Sequence, residues 1–258
     1  GGTFTGGTGT HTIGSIFAAG GGTRTITLSS GATTINSKNT SNGYTINLAS
    51  GTTFNHGSGT VTMTYAGNTL IQLSGGTLAF NTFTYNASGR TLELRSPMSC
   101  AANLTLTAGE LDTKSGTNHA LTVTGHVSVT GTLTGNASAI SAGSMIINSG
   151  GTYSATTGTT TINSEEASHA FRCSGGGTFT DNNGTLLITT PAETRLKMNG
   201  TGNVHHLTVN HASCTLFMES DSSTTIEGNL TITAGNVRPH TQGNSQRTLT
   251  VTGHTEIG

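Results

Sequence analysis

One strand pair occurs twice in this chain. Asn103-Leu-Thr-Leu-Thr-Ala-Gly109 returns as Asn229-Leu-Thr-Ile-Thr-Ala-Gly235, and 229 − 103 = 126. Leu121-Thr-Val-Thr-Gly-His126 returns as Leu249-Thr-Val-Thr-Gly-His254, and 249 − 121 = 128. Within each segment aliphatic and hydroxyl side chains alternate with a period of two. That is the period of a strand with one face in a core and one in water. Thr is β-branched and favours extended backbone, and its hydroxyl stays wet without carrying charge. Corners of Gly, Ser and Asn follow every ~8–12 residues.

Weaker echoes extend the copy. Ser50-Gly-Thr-Thr-Phe54 matches Ser149-Gly-Gly-Thr-Tyr153, and 149 − 50 = 99. Ile71-Gln-Leu73 matches Phe171-Arg-Cys173, which puts Cys173 in the slot of an inward Leu73. Phe83-Thr-Tyr-Asn86 matches Leu207-Thr-Val-Asn210, and 207 − 83 = 124. Residues 50–148 and 149–258 therefore read as two long β repeats after N-terminal β coils at 1–49. The chain opens on Gly1, and the first coils are expected to continue from chain upstream. The growing offset places the extra residues of the second copy near Asp181–Gly202.

The fold class expected is all-β, a parallel β-solenoid rod of short Thr-rich strands with Gly/Ser/Asn corners. A coil of roughly 20–30 residues gives on the order of ten coils. At ~4.8 Å per coil the rod is about 50 Å long. Tandem β-sandwich modules are the alternative, because a repeat of ~100 residues suits them. Against the sandwich, aromatic residues are only 5 % of the chain, with no Trp. Ser164-Glu-Glu-Ala-Ser-His-Ala-Phe171 is the one stretch that also reads as a helical turn, with a Ser cap and early Glu; a loop fits it equally.

Charge narrows the function. Lys+Arg number 10 and Asp+Glu 11, so no basic patch is available for a phosphate backbone, and nucleic acid is not an expected partner. No apolar run approaches the ~18–20 residues of a membrane span. Of three Asp, Asp221 lies two residues from Glu219, so the two share a face if extended, as an acid/base pair would. The plainer reading is a solvated edge at Glu219-Ser-Asp-Ser-Ser223. His205, His206 and His211 are close in sequence, but neighbours on a strand point to opposite faces, so His205 and His206 are not expected to share a metal. His126 and His254, each after a Gly, read as outward corner side chains. No GxSxG elbow is present, and the runs Gly20–Gly22 and Gly175–Gly177 lack the helix of a phosphate cradle. Thr-x-Thr pairs such as Thr25/Thr27, Thr105/Thr107 and Thr122/Thr124 are too irregularly spaced for an ice-binding rank. Seven Asn-x-Ser/Thr sequons, including Asn86, Asn103 and Asn229, are expected by chance in so Thr- and Asn-rich a chain. Cys100, Cys173 and Cys214 are an odd set without CxxC spacing; a buried small hydrophobe is the reading for Cys173, with a disulfide as the rival. No catalytic residue, metal site or cofactor is assigned, and the chain is expected not to be an enzyme.

The run Asn103-Leu-Thr-Leu-Thr-Ala-Gly-Glu-Leu-Asp112, then Leu121-Thr-Val-Thr-Gly-His-Val127, is similar to segments of haemagglutinin-like and autotransporter passenger proteins. It also resembles fibre, spike and decoration proteins of tailed phages. The resemblance is one of repeat texture over most of residues 50–258. It implies a virion-exposed or extracellular β-rod, often a homo-oligomer such as a trimer, that attaches to a host surface or cell-surface glycan. A bacterial cell-surface adhesin or filament subunit is the alternative, and a polysaccharide-degrading β-helix enzyme comes third.

Overall fold

A computed structural model describes residues 1–219, 224–239 and 248–258. The chain is a parallel β-solenoid of about 11 turns, and the described residues contain no helix. The coils run over three faces, and their strands pair in parallel with counterparts one coil on; a short antiparallel hairpin, Lys114–Ser115 with Thr117–Asn118, stands apart from this ladder. The second face runs in register Ile35, Met63, Tyr85, Leu106, Val129, Ile147. The first face runs Leu78, Met98, Leu121, Ile140, and the third Leu92, Leu111, Leu133, Tyr153. All of these side chains are buried, and they form one continuous core along the rod. Alternation does this: in Leu104-Thr-Leu106 the leucines are inside and Thr105 is half-exposed.

Coil length varies, from 145 − 127 = 18 residues between Val127 and Met145 to 46 − 16 = 30 between Ile16 and Ile46. The ladder tolerates this because surplus residues leave at corners. In the strand Thr82–Leu94 the register shifts between Tyr85 and Thr91, and Ser88–Arg90 swings outward while Ala87 stays buried. The same happens in His206–Glu219 between Val209 and Thr215. Parallel pairing continues past residues 49/50 and 148/149 on the faces that flank them, Leu48 with Leu73 and Ile147 with Cys173, so no separate sandwich modules form.

The two copies keep their local structure but sit on different faces. Phe54 and Phe80 meet edge-on on the first face, ring centroids 5.6 Å apart; their copies Tyr153 and Phe179 meet at a tilt on the third, 5.7 Å apart. Leu104 is on the second face and its copy Leu230 on the first. Every later strand of the second copy is likewise displaced by one face. The offset then grows from 179 − 80 = 99 to 207 − 83 = 124 because one whole extra coil enters, with strands Thr185–Ile188 and Glu193–Met198 and a bridge at Thr201. A solenoid accepts such an insertion because each coil touches only its neighbours.

Ser164–Phe171 is not helical. Glu166 and His169 exchange backbone hydrogen bonds of 2.9 and 3.0 Å around Ala167 and Ser168, which have φ of 48° and 65°. Two positive φ values in succession make a tight type I′ hairpin, and the N–H groups a helix would turn inward are paired across it instead.

Candidate functional site

Three places on the surface gather polar chemistry. The first is a groove of about 420 Å3 at the corner between the second and third faces, lined by Ser88, Arg90, Thr107, Glu110, Thr130 and Gly131. The expelled segment Ser88–Arg90 forms one wall. Gly109, at φ 83°, forms the floor, where a Cβ would lie 2.3 Å from the Ala87 carbonyl oxygen and 2.8 Å from the Tyr85 ring. Glu110 accepts from the Thr134 hydroxyl at 2.6 Å and the Thr91 hydroxyl at 3.2 Å, which fixes its carboxylate beside the exposed Arg90. The groove offers fixed hydroxyls, one carboxylate and one guanidinium as polar contacts. Sequence reasoning missed it because the groove exists only where a corner is expelled on one coil and flat on the next. Gly109, copied as Gly235, was the available signal.

The second place surrounds Glu219. Its carboxylate takes Lys197 Nζ at 2.9 Å and Arg195 Nε at 3.2 Å, both from the extra coil. Partial burial opposes ionisation, but the hydrogen bond and charge of Lys197, with His169 and Arg195, outweigh it and hold Glu219 below the usual carboxylate range. Burial pushes His169 below its ordinary value, and the Ala167 carbonyl occupies its Nδ1 at 2.7 Å. His169 is therefore neutral at pH 7, and its 3.7 Å approach to Glu219 is not an ion pair there. So Glu219 is no plain solvated edge: it is a carboxylate fixed between two cations. Asp221 lies outside the described residues.

The third place is the corner between the third and first faces on three successive coils. Asp181, His205 and Glu227 stack there with ligand atoms all within 4.8 Å of one another. His206 packs edge-on against His205, ring centroids 4.4 Å apart, and its Nδ1 accepts the Asn229 N–H at 2.9 Å. The two rings meet because residues 204–206 turn a corner; still, no metal-sized group among the described residues contains both. His211 bonds its own corner through the Ser213 N–H at 3.2 Å.

The remaining candidates are structural in place. His126 is outward and lies 3.4 Å from Glu166; His254 is exposed. Their backbone N–H groups donate to Asn103 Oδ1 at 3.1 Å and Asn229 Oδ1 at 3.0 Å, so two of the sequon asparagines cap corners. Asn86 is exposed, two residues before the groove wall. The Thr-x-Thr pairs fall on different faces: Thr25 and Thr122 on the first, Thr105 on the second, Thr250 on the third. The glycine runs are corners, with Gly20, Gly22 and Gly176 at positive φ. Cys100, Cys173 and Cys214 are free and buried; burial pushes Cys100 up to about 12 and raises the other two, so none is a thiolate at neutral pH. Cys173 occupies a core slot as Leu73 does.

Among the described residues no helix is long and apolar enough to cross a membrane. Searches of protein-family models, curated proteins and solved structures find no match to this chain.

Proposed function

We propose that this chain is a structural rod of an exposed surface: a fibre, spike or decoration subunit of a tailed-phage virion that works by self-association and host-surface attachment. The observation that carries the reading is the unbroken stacking of about 11 coils under a neutral skin rich in Thr, Ser and Asn. Backbone hydrogen bonds between coils run along the rod axis, so the rod spans distance and resists proteolysis. Its first coil leaves Phe4 and Phe17 half-exposed beside an apolar cleft of about 250 Å3, and Ile257 is exposed in the last. Unpaired strand edges with apolar side chains invite association, and further chain or neighbouring subunits are the proposed cover.

A cell-surface adhesin is the second reading, favoured by the Arg90/Glu110 groove, which would receive a glycan. Three measurements test both. Sedimentation and electron microscopy of the purified chain should show rod-shaped oligomers, and antibody against it should label projections of the parent particle. A freely soluble monomer whose antibody labels neither particle nor cell surface would overturn the structural reading. Incubation with host polysaccharides should release no new reducing ends; cleavage abolished by Glu219→Gln would move the protein to the enzyme class.

A further inference from the structure

We infer that Asp181, His205 and Glu227 form a binding site for one divalent transition-metal ion of the zinc class, which clamps the extra coil to its neighbours. The three donors come from consecutive coils, so their stacking is set by the ladder. The Glu227 N–H donates to the Val204 carbonyl at 2.9 Å, the Gly228 N–H to the His205 carbonyl at 2.8 Å, and the His206 N–H to the Gly184 carbonyl at 3.1 Å. The backbone from which the donors hang is thereby fixed before any ion binds.

The side chains are also oriented. Glu227 Oε1 accepts from Asn203 Nδ2 at 2.8 Å, and Asp181 Oδ1 accepts from the Asn183 N–H at 2.7 Å. Supporting hydrogen bonds of this kind are how ligating carboxylates are aimed. The independent observation is His205 Nδ1. It is shielded from solvent, has no hydrogen-bond partner, and lies 4.0 Å from Glu227 Oε2. That distance is too long for a hydrogen bond. A tetrahedral ion with ligand bonds near 2.1 Å needs donors about 3.4 Å apart, so side-chain rotations of about 1 Å complete the set. An imidazole with two carboxylates suits zinc and its first-row neighbours better than calcium, which takes oxygen donors in greater number. Two carboxylates and a neutral imidazole also balance the ion's two positive charges.

The first copy shows what the corner looks like without donors. Asn81 and Ala101 stand where the second copy has His205 and Glu227. The backbone bonds are the same: the Ala102 N–H donates to the Asn81 carbonyl at 2.8 Å, as Gly228 does to His205. The donors are additions to an otherwise unchanged frame, and they cluster where the inserted coil adjoins its neighbours.

The test is calorimetric titration of the untagged, metal-stripped chain with Zn2+, with Ca2+ and Mg2+ as comparisons, and thermal unfolding with and without Zn2+. One zinc per chain with a raised Tm is expected, and Co2+ in its place should show the intense visible bands of a tetrahedral site. His205→Ala should abolish that site, and Asp181→Asn and Glu227→Gln should each weaken it at least about tenfold. His211→Ala should leave it unchanged. Binding that survives Asp181→Asn and Glu227→Gln together, binding lost in His211→Ala, or no saturable zinc binding at all would each overturn the proposal. If His205→Ala does not fold, the two carboxylate variants, at the rim of the corner, decide the question.

Discussion

Asn103–Gly109 with Leu121–His126, and Asn229–Gly235 with Leu249–His254, are nearly the same sequence in two different settings. The first wraps the middle of the rod with coils on both sides; the second lies on the last coils and is turned by one face. Local structure survives the turn. Gly125 and Gly253 each pass so close to the preceding coil that a Cβ would lie 2.2 Å from Asn103 Oδ1 and 2.4 Å from Asn229 Oδ1. Burial does not survive: Leu106 is fully buried, whereas its copy Ile232 is only partly so. The unit that was copied is thus a strand with its corner, and the face it occupies is decided by how many strands precede it.

The largest effect that sharpens this comparison is expected in the core. Leu106→Ala should cost about 4 kcal/mol in denaturant unfolding, and Ile232→Ala about 2 kcal/mol with the loss confined to the last coils in hydrogen exchange. Equal costs would mean that the last coils are sealed as well as the middle ones. Next come the glycines. Gly125→Ala should destabilise by about 2–3 kcal/mol, because the contacts are to backbone and a capping amide that cannot retreat; Gly253→Ala, with less chain beyond it, should cost about 1 kcal/mol. Asn103→Ala removes the acceptor of the His126 N–H and should cost about 1 kcal/mol, more than Asn229→Ala at its exposed corner.

The smallest expected effect is on pH, and it belongs to the second copy alone, since Arg95 stands where Glu219 does. The folded state depresses His169, so stability falls as pH drops below its ordinary 6.5, where the unfolded chain takes the proton first. Glu219 is also depressed, so its contribution is complete above 4.5 and is lost as pH falls further through its folded value. Tm measured against pH should therefore decline in two stages. His169→Asn should remove the upper stage and Glu219→Gln the lower. A profile flat from pH 7 to 3 would contradict both assignments.

Much of the fold was legible in the chain. Leu104-Thr-Leu106 and Thr25-Ile-Thr-Leu28 announce their inward sets by alternation, and the jump in offset near Asp181–Gly202 marked the inserted coil. Thr45 shows the limit: a bulge beside Tyr44 turns it inward to meet the Thr69 hydroxyl at 2.6 Å. The hairpin at Ser164–Phe171 was open between helix and loop, because Ala167 and Ser168 carry no Gly or Asn signal for positive φ. Of the sites only single members were legible: Glu219 and His205 stood out in the sequence, but their partners did not. Arg195 and Lys197 reach Glu219 from one coil away, and Asp181, His205 and Glu227 are 205 − 181 = 24 and 227 − 205 = 22 residues apart.

What the sequence alone determined was therefore one-dimensional: which residues are strands, which point inward, and where the chain bends. These follow from side-chain period and backbone preference, which act over a few residues. Which face each strand joins, and which side chains meet across coils, was decided only in three dimensions. Coils of 18 to 30 residues are compatible with the same ladder, so the register between neighbours depends on how each corner expels its surplus.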